Sequence, residues 1–339
     1  MPVEYSGIRA EHVSVRSAVG LFDVSHMGEF IVRGPGALDL LQHMTTNDVR
    51  RLEDGQAQYT AMARPEGTLV DDLLVYRIDA ENFMMVVNAG NIGKDFEWIA
   101  ANNRTGASVE DVSSDTTLLA IQGPNAVETL AGLTSLNPGN IPYYHFVTGT
   151  LAGVKGVLSR TGYTGEDGFE FYFDCKESEP VWAAILASGK SHGILPIGLG
   201  ARNTLRLEGK LLLYGNDMDE TTTLLEAGLG WIAKLDKGEF IGREALRTQK
   251  AAGIQRKLVG FEMLGRDIAR EHYPVLVDGA EVGHVTSGSP SITLNKNIGL
   301  AYLPVAHAAV GSTFQVQVRK RLCEAQVVAT PFYKRRRTA

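Results

Sequence analysis

Three places in the chain carry side chains whose types and spacing could do chemistry. The first is Asp71-Asp72, which opens the run Asp71-Asp72-Leu73-Leu74-Val75-Tyr76-Arg77. In an extended strand successive side chains face opposite ways. Asp72, Leu74 and Tyr76 then share one face, and Asp71, Leu73 and Val75 the other. One acid should face inward, where a carboxylate must be hydrogen-bonded or take up a proton. Such an acid is a candidate general base or electrostatic anchor, and a strand cap is the plainer alternative. The second place is Glu170, within 159–173. Phe169, Phe171 and Phe173 alternate with Glu170 and Tyr172, so an apolar face pins a carboxylate and a phenol rigidly opposite. Gly162, Gly165 and Gly168 precede them, which suggests a tight turn with φ > 0 at the glycines. The third is Arg202, just after Gly198-Leu199-Gly200-Ala201. At a helix start, backbone N–H groups and a guanidinium could jointly hold an anion, and a structural ion pair is the alternative.

Other patterns lead nowhere. Gly198-x-Gly200 lacks the third glycine of a dinucleotide fingerprint, because position 203 is Asn. Ser287-Gly288-Ser289-Pro290-Ser291 does not have the Gly-x-Ser-x-Gly frame of a nucleophile elbow. The eight histidines are scattered and the only cysteines are Cys175 and Cys323. Neither a metal site nor a disulfide framework is expected, and a reducing compartment is the default. His26 alone reads as structural. A net charge of -6 disfavours nucleic acid as the main partner. No apolar run reaches membrane-spanning length, no signal peptide is visible at Met1, and a soluble protein is expected.

The elements that must position these residues can be read in outline. Residues 8–19 form a helix, 20–28 a turn, and 29–32 a strand. Gly34-Pro35-Gly36-Ala37 then turns into a helix with Leu38, Leu40 and Leu41. The design returns at 118–121, a strand, followed by Gly123-Pro124-Asn125-Ala126 and a helix over 127–133. Both copies read Gly-Pro-x-Ala with a leucine, Leu41 or Leu130, four residues past the alanine. That suggests a duplicated α+β subdomain. Further strands are expected at 68–77 and 83–87, and helices at 94–101, 181–186 and around Leu205. After Gly253 short strands dominate, at 258–263, 274–277, 281–286, 299–303 and 313–318, which argues for a small β-barrel. The tail 334–337 reads as a solvated end.

Taken together, several stretches resemble one family. They are Phe22-Asp23-Val24-Ser25-His26-Met27, Asp71-Asp72-Leu73, Val87-Asn88-Ala89-Gly90, the glycine-rich 162–168, Gly200-Ala201-Arg202 with Leu205-Arg206-Leu207-Glu208, Leu213-Tyr214-Gly215-Asn216-Asp217, Phe240-Ile241-Gly242-Arg243 and Thr286-Ser287-Gly288. They are similar, in order, to the T-protein of the glycine cleavage system, the aminomethyltransferase family. The resemblance implies an α+β cloverleaf of two related ferredoxin-like subdomains plus a C-terminal β-barrel. It divides the chain into a folate-binding region at 1–245 and a barrel at 255–333. The implied reaction moves the methylene unit of an aminomethyl group from the dihydrolipoyl arm of H-protein to tetrahydrofolate. No metal is implied. The family's catalytic acid falls on Asp72, its pteridine-contacting glutamate on Glu170 and its site arginine on Arg202. Asn88 and Trp231 match positions lining the folate site, and Tyr333 is the counterpart of a C-terminal site tyrosine. Two other readings are a sibling tetrahydrofolate-dependent demethylase and a non-catalytic folate-binding protein. The implied location is the cytoplasm of a bacterial-type cell, or the mitochondrial matrix in a eukaryote. Family members usually begin some two dozen residues before the Met-Pro-Val-Glu-Tyr found here at Met1. Asn203 stands where the family usually has Asp, and Leu224 where it has Pro.

Overall fold

A computed structural model of the chain describes residues 1–335. Helix α1 (Ile8–Ser17) and strand β1 (Val19–Asp23) come first. One unit then runs β2 (Gly28–Arg33), α2 (Ala37–Met44), β3 (Gln56–Ala63), β4 (Leu69–Arg77), β5 (Asn82–Val87), α3 (Ile92–Asn102) and β6 (Ser108–Asp111). A second runs β7 (Thr116–Gln122), α4 (Ala126–Ala131), β8 (Phe146–Leu151), β9 (Val154–Ser159), β10 (Gly168–Asp174), α5 (Ser178–Gly189) and β11 (Ile194–Pro196). The order of elements is the same: strand, helix, three strands, helix, strand. The sheets repeat it in space. The first is ordered β3-β4-β5-β2-β6 and the second β8-β9-β10-β7-β1-β11. The second is the first with β1 inserted beside its last strand. Each Gly-Pro-x-Ala motif makes the same turn. Gly34 (φ 101°) and Gly123 (φ 134°) take positive φ, and the alanine N–H closes back on the glycine carbonyl at 2.9 and 3.1 Å. Leu41 and Leu130 are fully buried beneath their helices.

The two sheets meet face to face. The outer face of the first is covered by α2 and α3, over a core containing Phe30, Leu73 and Val75. The outer face of the second is covered by α4 and α5, over Phe169, Phe171 and Phe173. The inner faces share a third core that joins Tyr76 and Met84 to Leu118 and Tyr172. The period-two pattern therefore holds at both acids: Asp72 and Glu170 lie on inner faces, opposite the apolar residues that anchor their strands.

Beyond β11, helix α6 (Leu199–Glu208) leads into an irregular segment, helix α7 (Arg243–Ala252) and a closed barrel. The barrel strands are β12 (Arg256–Met263), β13 (Pro274–Val277), β14 (Ala280–Ser291), β15 (Lys296–Pro304), β16 (Thr313–Val318) and β17 (Arg321–Val328). Buried charge welds the barrel to α6. Arg206 pairs with Asp217 at 2.5 Å and donates to the Ser287 hydroxyl on β14. Glu208 accepts from the hydroxyls of Ser291 and Thr293 and from Arg16. Both substitutions against the family pattern are absorbed: the Asn203 side-chain oxygen accepts from Arg206 Nε at 2.9 Å, and Leu224 is a fully buried core residue.

Four expectations change. Residues 19–23, expected within a helix end and a turn, form β1, an inner strand of the second sheet. Helix α1 accordingly stops at Ser17. Only Gly165 of the three loop glycines has positive φ, at 81°. Gly162 and Gly168 serve close approach instead, since a Cβ would fall 2.0 Å from Gln122 Oε1 at the first and 2.5 Å from the Ile121 carbonyl at the second. Arg335 is no free end: it pairs with Asp167 at 3.2 Å. Arg336 and Arg337 lie outside the described residues.

Candidate active site

The inner faces enclose a cavity of about 310 Å³. Asp72 on β4, Asn88 after β5, Glu170 on β10, Arg202 on α6 and Trp231 in the irregular segment all line it. Five expected site residues are thus brought together from five parts of the chain. Tyr333 is not among them. Its ring packs under the Arg16 guanidinium, 4.0 Å from the ring centroid, and its N–H donates to the Glu208 carbonyl.

Asp72 is half-buried and held at both oxygens. Oδ2 accepts from the Tyr59 hydroxyl at 2.8 Å and Oδ1 from Asn88 Nδ2 at 2.9 Å. Burial first, then repulsion from Asp71, pushes its carboxyl up to about 7, and the bonds from Tyr59 and Asn88 oppose that rise. Asp71 points the other way, fully buried beneath the start of α3, and accepts from the Asn88 N–H, Asn88 Nδ2 and Asn91 Nδ2. Both acids are therefore internal, one in the cavity and one in the wall behind it.

Glu170 sits in a cluster of hydroxyls. Its Oε2 accepts from Thr161 at 2.5 Å and from Tyr172 at 3.4 Å. Tyr172 is in turn 3.0 Å from the Tyr76 hydroxyl, a bond between the two sheets. All of its described bonds fall on Oε2, so Oε1 remains available to a ligand. Burial pushes the carboxyl up, against Thr161 and Arg202.

Arg202 lies over the Tyr163 ring at 4.6 Å and makes no side-chain hydrogen bond among the described residues. The expected backbone contribution to an anion site is overturned. The N–H groups of Gly198, Leu199 and Gly200 already donate to Glu11 Oε2 and to the carbonyls of Pro2 and Val3. Trp231, 60% exposed, stacks on Tyr59 with centroids 5.9 Å apart and forms an aromatic rim.

Sequence reasoning missed Tyr59, Tyr144 and Lys210, which also line the cavity. Tyr59 pairs across β3 and β4 with Leu74, a diagonal neighbour of Asp72 on the same face. No local pattern signals that contact. Among the described residues no cluster of three or more His, Cys, Asp or Glu could hold a metal.

A site of this kind, a small-molecule cavity between duplicated α+β units with an appended barrel, defines a class that known proteins share. The GCVT N-terminal domain model matches residues 1–237, and the glycine cleavage T-protein C-terminal barrel domain model matches 256–334. An aminomethyltransferase of Desulfitobacterium hafniense is 51% identical over 99% of this chain and 92% of its own length. One from Symbiobacterium thermophilum is 52% identical over 98% of this chain and 91% of its own length. The crystal structure of glycine cleavage system aminomethyltransferase T from Bartonella henselae superposes with a TM-score of 0.93 at 31% identity, over 99% of this chain and 92% of that one. The chain belongs to the glycine cleavage T-protein family and is an enzyme of the aminomethyltransferase type. No helix among the described residues is long and apolar enough to cross a membrane.

Proposed function

We propose that this protein is the aminomethyltransferase of a glycine cleavage system. It takes the methylene unit of an aminomethyl group from lipoylated H-protein and passes it to tetrahydrofolate. Two bonds form, from the carbon to N5 and N10 of the folate, and two break, to sulfur and to the amine nitrogen. The protons of N5 and N10 leave with the thiol and with ammonia, so the products are 5,10-methylenetetrahydrofolate, dihydrolipoyl H-protein and ammonia. In this reading residues 1–245 form the folate-binding region and 255–333 the barrel, and the cell compartment is the cytoplasm of a bacterial-type cell or, in a eukaryote, the mitochondrial matrix.

The observation that carries the reading is the convergence of Asp72, Glu170, Arg202, Asn88 and Trp231 on one cavity. Its volume of about 310 Å³ sits at the lower end of small-molecule sites, about 300–1,000 Å³. Glu170, with a free Oε1, accepts from the N–H groups of the pterin. Trp231 and Tyr59 supply an aromatic wall. Arg202 supplies positive charge to an anionic part of the ligand. Asp72, oriented by Tyr59 and Asn88, orients the folate amines and stabilises the cationic character that develops as ammonia leaves. Tyr333, tied to Arg16 and Glu208, does not line the cavity and binds no ligand in this reading. The relatives' shared name over nearly the whole chain favours this reaction over a sibling demethylase or a non-catalytic folate binder.

The test is ammonia release from aminomethylated H-protein with and without tetrahydrofolate. Release that depends on folate and yields methylenetetrahydrofolate is expected. No acceleration over the protein-free reaction would overturn the reading.

A further inference from the structure

Behind Asp72 lies a second buried acid that the reaction does not touch. Asp95 sits in the first turn of α3 and is fully buried. Neither of its carboxyl oxygens receives a hydrogen bond from any described residue. Lys94, beside it, turns its ammonium away to the Val70 carbonyl at 2.6 Å and the Tyr214 hydroxyl at 3.1 Å. The groups facing Asp95 are therefore Asp71 and Asp72 from β4, Lys94 from its own helix and Tyr214 from the segment after α6.

An ionised Asp95 in this place would be a buried charge without a partner, which costs several kcal/mol. The α3 macrodipole offsets roughly 0.3–1 kcal/mol at such a position, at most about 2. The dipole loses, and the neutral acid is the stable form. Burial and the neighbouring Asp71 both push the Asp95 carboxyl far above the usual range. The proton cannot equally well sit on Asp71, because three N–H donors already point at the Asp71 oxygens. Asp71 lies beneath the same first turn, bonded to Asn91 at the N-cap of α3, one turn before Asp95, and it is the carboxylate that acts most strongly on Asp95.

We propose that Asp95 is a positioning residue: as a neutral acid it donates its O–H to Asp71, and Asp71 thereby holds the Asn88 amide that orients Asp72. The link from Asp71 to the cavity is short. Asn88 Nδ2 lies 2.9 Å from Asp71 Oδ1 and 2.9 Å from Asp72 Oδ1, and the Asn88 N–H reaches Asp71 Oδ2 at 3.1 Å. The Asp95 proton also weakens the field of Asp71 at Asp72, which keeps Asp72 ionisable near neutrality. The catalytic part of this inference rests on the reaction proposed above; the protonation does not.

Infrared spectroscopy of the full chain tests the protonation directly. Burial also pushes the carboxyl of Glu29 on β2 up, to about 8; above that pH, and so above the range of Asp72, the wild type should retain the carbonyl band of a protonated carboxylic acid, and Asp95→Asn should lose it. Kinetics test the positioning. Asp95→Ala removes the donor, so kcat should fall on the order of 10²-fold with an unchanged KM for tetrahydrofolate. Its pH–rate limb should also move to higher pH. Asp95→Asn keeps a neutral N–H donor and should recover most of that loss. A wild type without the band overturns the protonation, even if Asp95→Ala fails to fold. Asp95→Asn as damaged as Asp95→Ala overturns the positioning role. A wild type inactive in the ammonia assay but showing the band would sink the proposed reaction and leave the neutral acid standing.

Discussion

Replacing Asp72 by Asn should cut turnover by about 10²-fold or more while leaving the fold intact. The structure shows how Asn fits: its oxygen accepts from Asn88 Nδ2, and its amide donates to the Tyr59 oxygen, which can accept as well as donate. The one loss is the acceptor for the Tyr59 hydroxyl proton, whose only described partner is Asp72 Oδ2. The charge itself is costly in the free enzyme. Burial first, and then Asp71, raise the carboxyl from 3.8 to about 7, so the ionised folded form is disfavoured. The sign follows from proton counting. Between those two values the folded state binds more protons than the unfolded one, so Asp72 lowers stability as pH rises through this window. Asp72→Asn removes that slope, and its melting temperature should match the wild type near pH 4 and exceed it near pH 8. Catalysis should move the other way. Losing one preorganised electrostatic contact costs about 10²–10³ in kcat. The assay is folate-dependent ammonia release from aminomethylated H-protein beside melting curves at both pH values. A kcat within tenfold of wild type, or inactivity explained by a lower melting temperature, would refute the assignment of the acid.

Tyr59→Phe removes a bond that holds Asp72 ionised, so the rising limb of the pH–rate profile should move up by about 1 unit; an unmoved limb would separate Asp72 from that profile. Glu170→Gln replaces an acceptor oxygen by a donor at the pterin contact and should weaken tetrahydrofolate binding by about 1–3 kcal/mol, read by calorimetry, with unchanged affinity as the contrary result. Glu208 is held down to about 2, against burial, chiefly by its bond and charge interaction with His12, with Ser291 and Arg16 adding to it. A depressed carboxylate contributes stability that is complete above its unfolded value of 4.5 and lost as pH falls toward 2. Glu208→Gln should therefore lower the melting temperature at neutral pH, by about 3–5 kcal/mol of stability, and flatten its acid dependence; a parallel, unflattened curve would count against the weld.

Much of the frame was legible because period-two alternation is a strong signal where a strand has one apolar face. Phe169, Phe171 and Phe173 against Glu170, and Leu73 and Val75 against Asp72, gave both acids their direction. What hid β1 was burial on both sides. Val19, Leu21 and Phe22 are all buried, so no alternation marks the strand. Gly20 looks like a turn residue but is there because a Cβ would lie 2.5 Å from Val15 and Ile197. Strand β17 escaped for the opposite reason: it opens with exposed Arg321 and Leu322, and only Ala325 and Val327 are fully buried. Helix α7 buries only Leu246. The partners of the acids were illegible because register sets them. Tyr59 reaches Asp72 only once β3 pairs with β4, and Asn91 reaches Asp71 only once α3 closes over the sheet.

The duplication explains where the site is, and its asymmetry explains what the site can do. Two copies of one α+β unit that bury their inner faces against each other must leave a seam, and side chains alternate into that seam from both sheets. The Tyr76–Tyr172 bond at 3.0 Å locks the facing sheets. The acids on either side of it are not equivalent by the repeat: Asp72 is on the third strand of the first unit and Glu170 on the fourth of the second. One is braced by an amide and a phenol, the other by hydroxyls that leave an oxygen free. Neither has a protein cation bonded to it, while Arg202 and Lys210 line the same cavity without forming a salt bridge among the described residues. Carboxylates and cations kept apart in a shared cavity each bind best a ligand that brings the missing partner. A molecule with N–H donors at one end, a developing positive charge in the middle and an anionic tail meets all three demands.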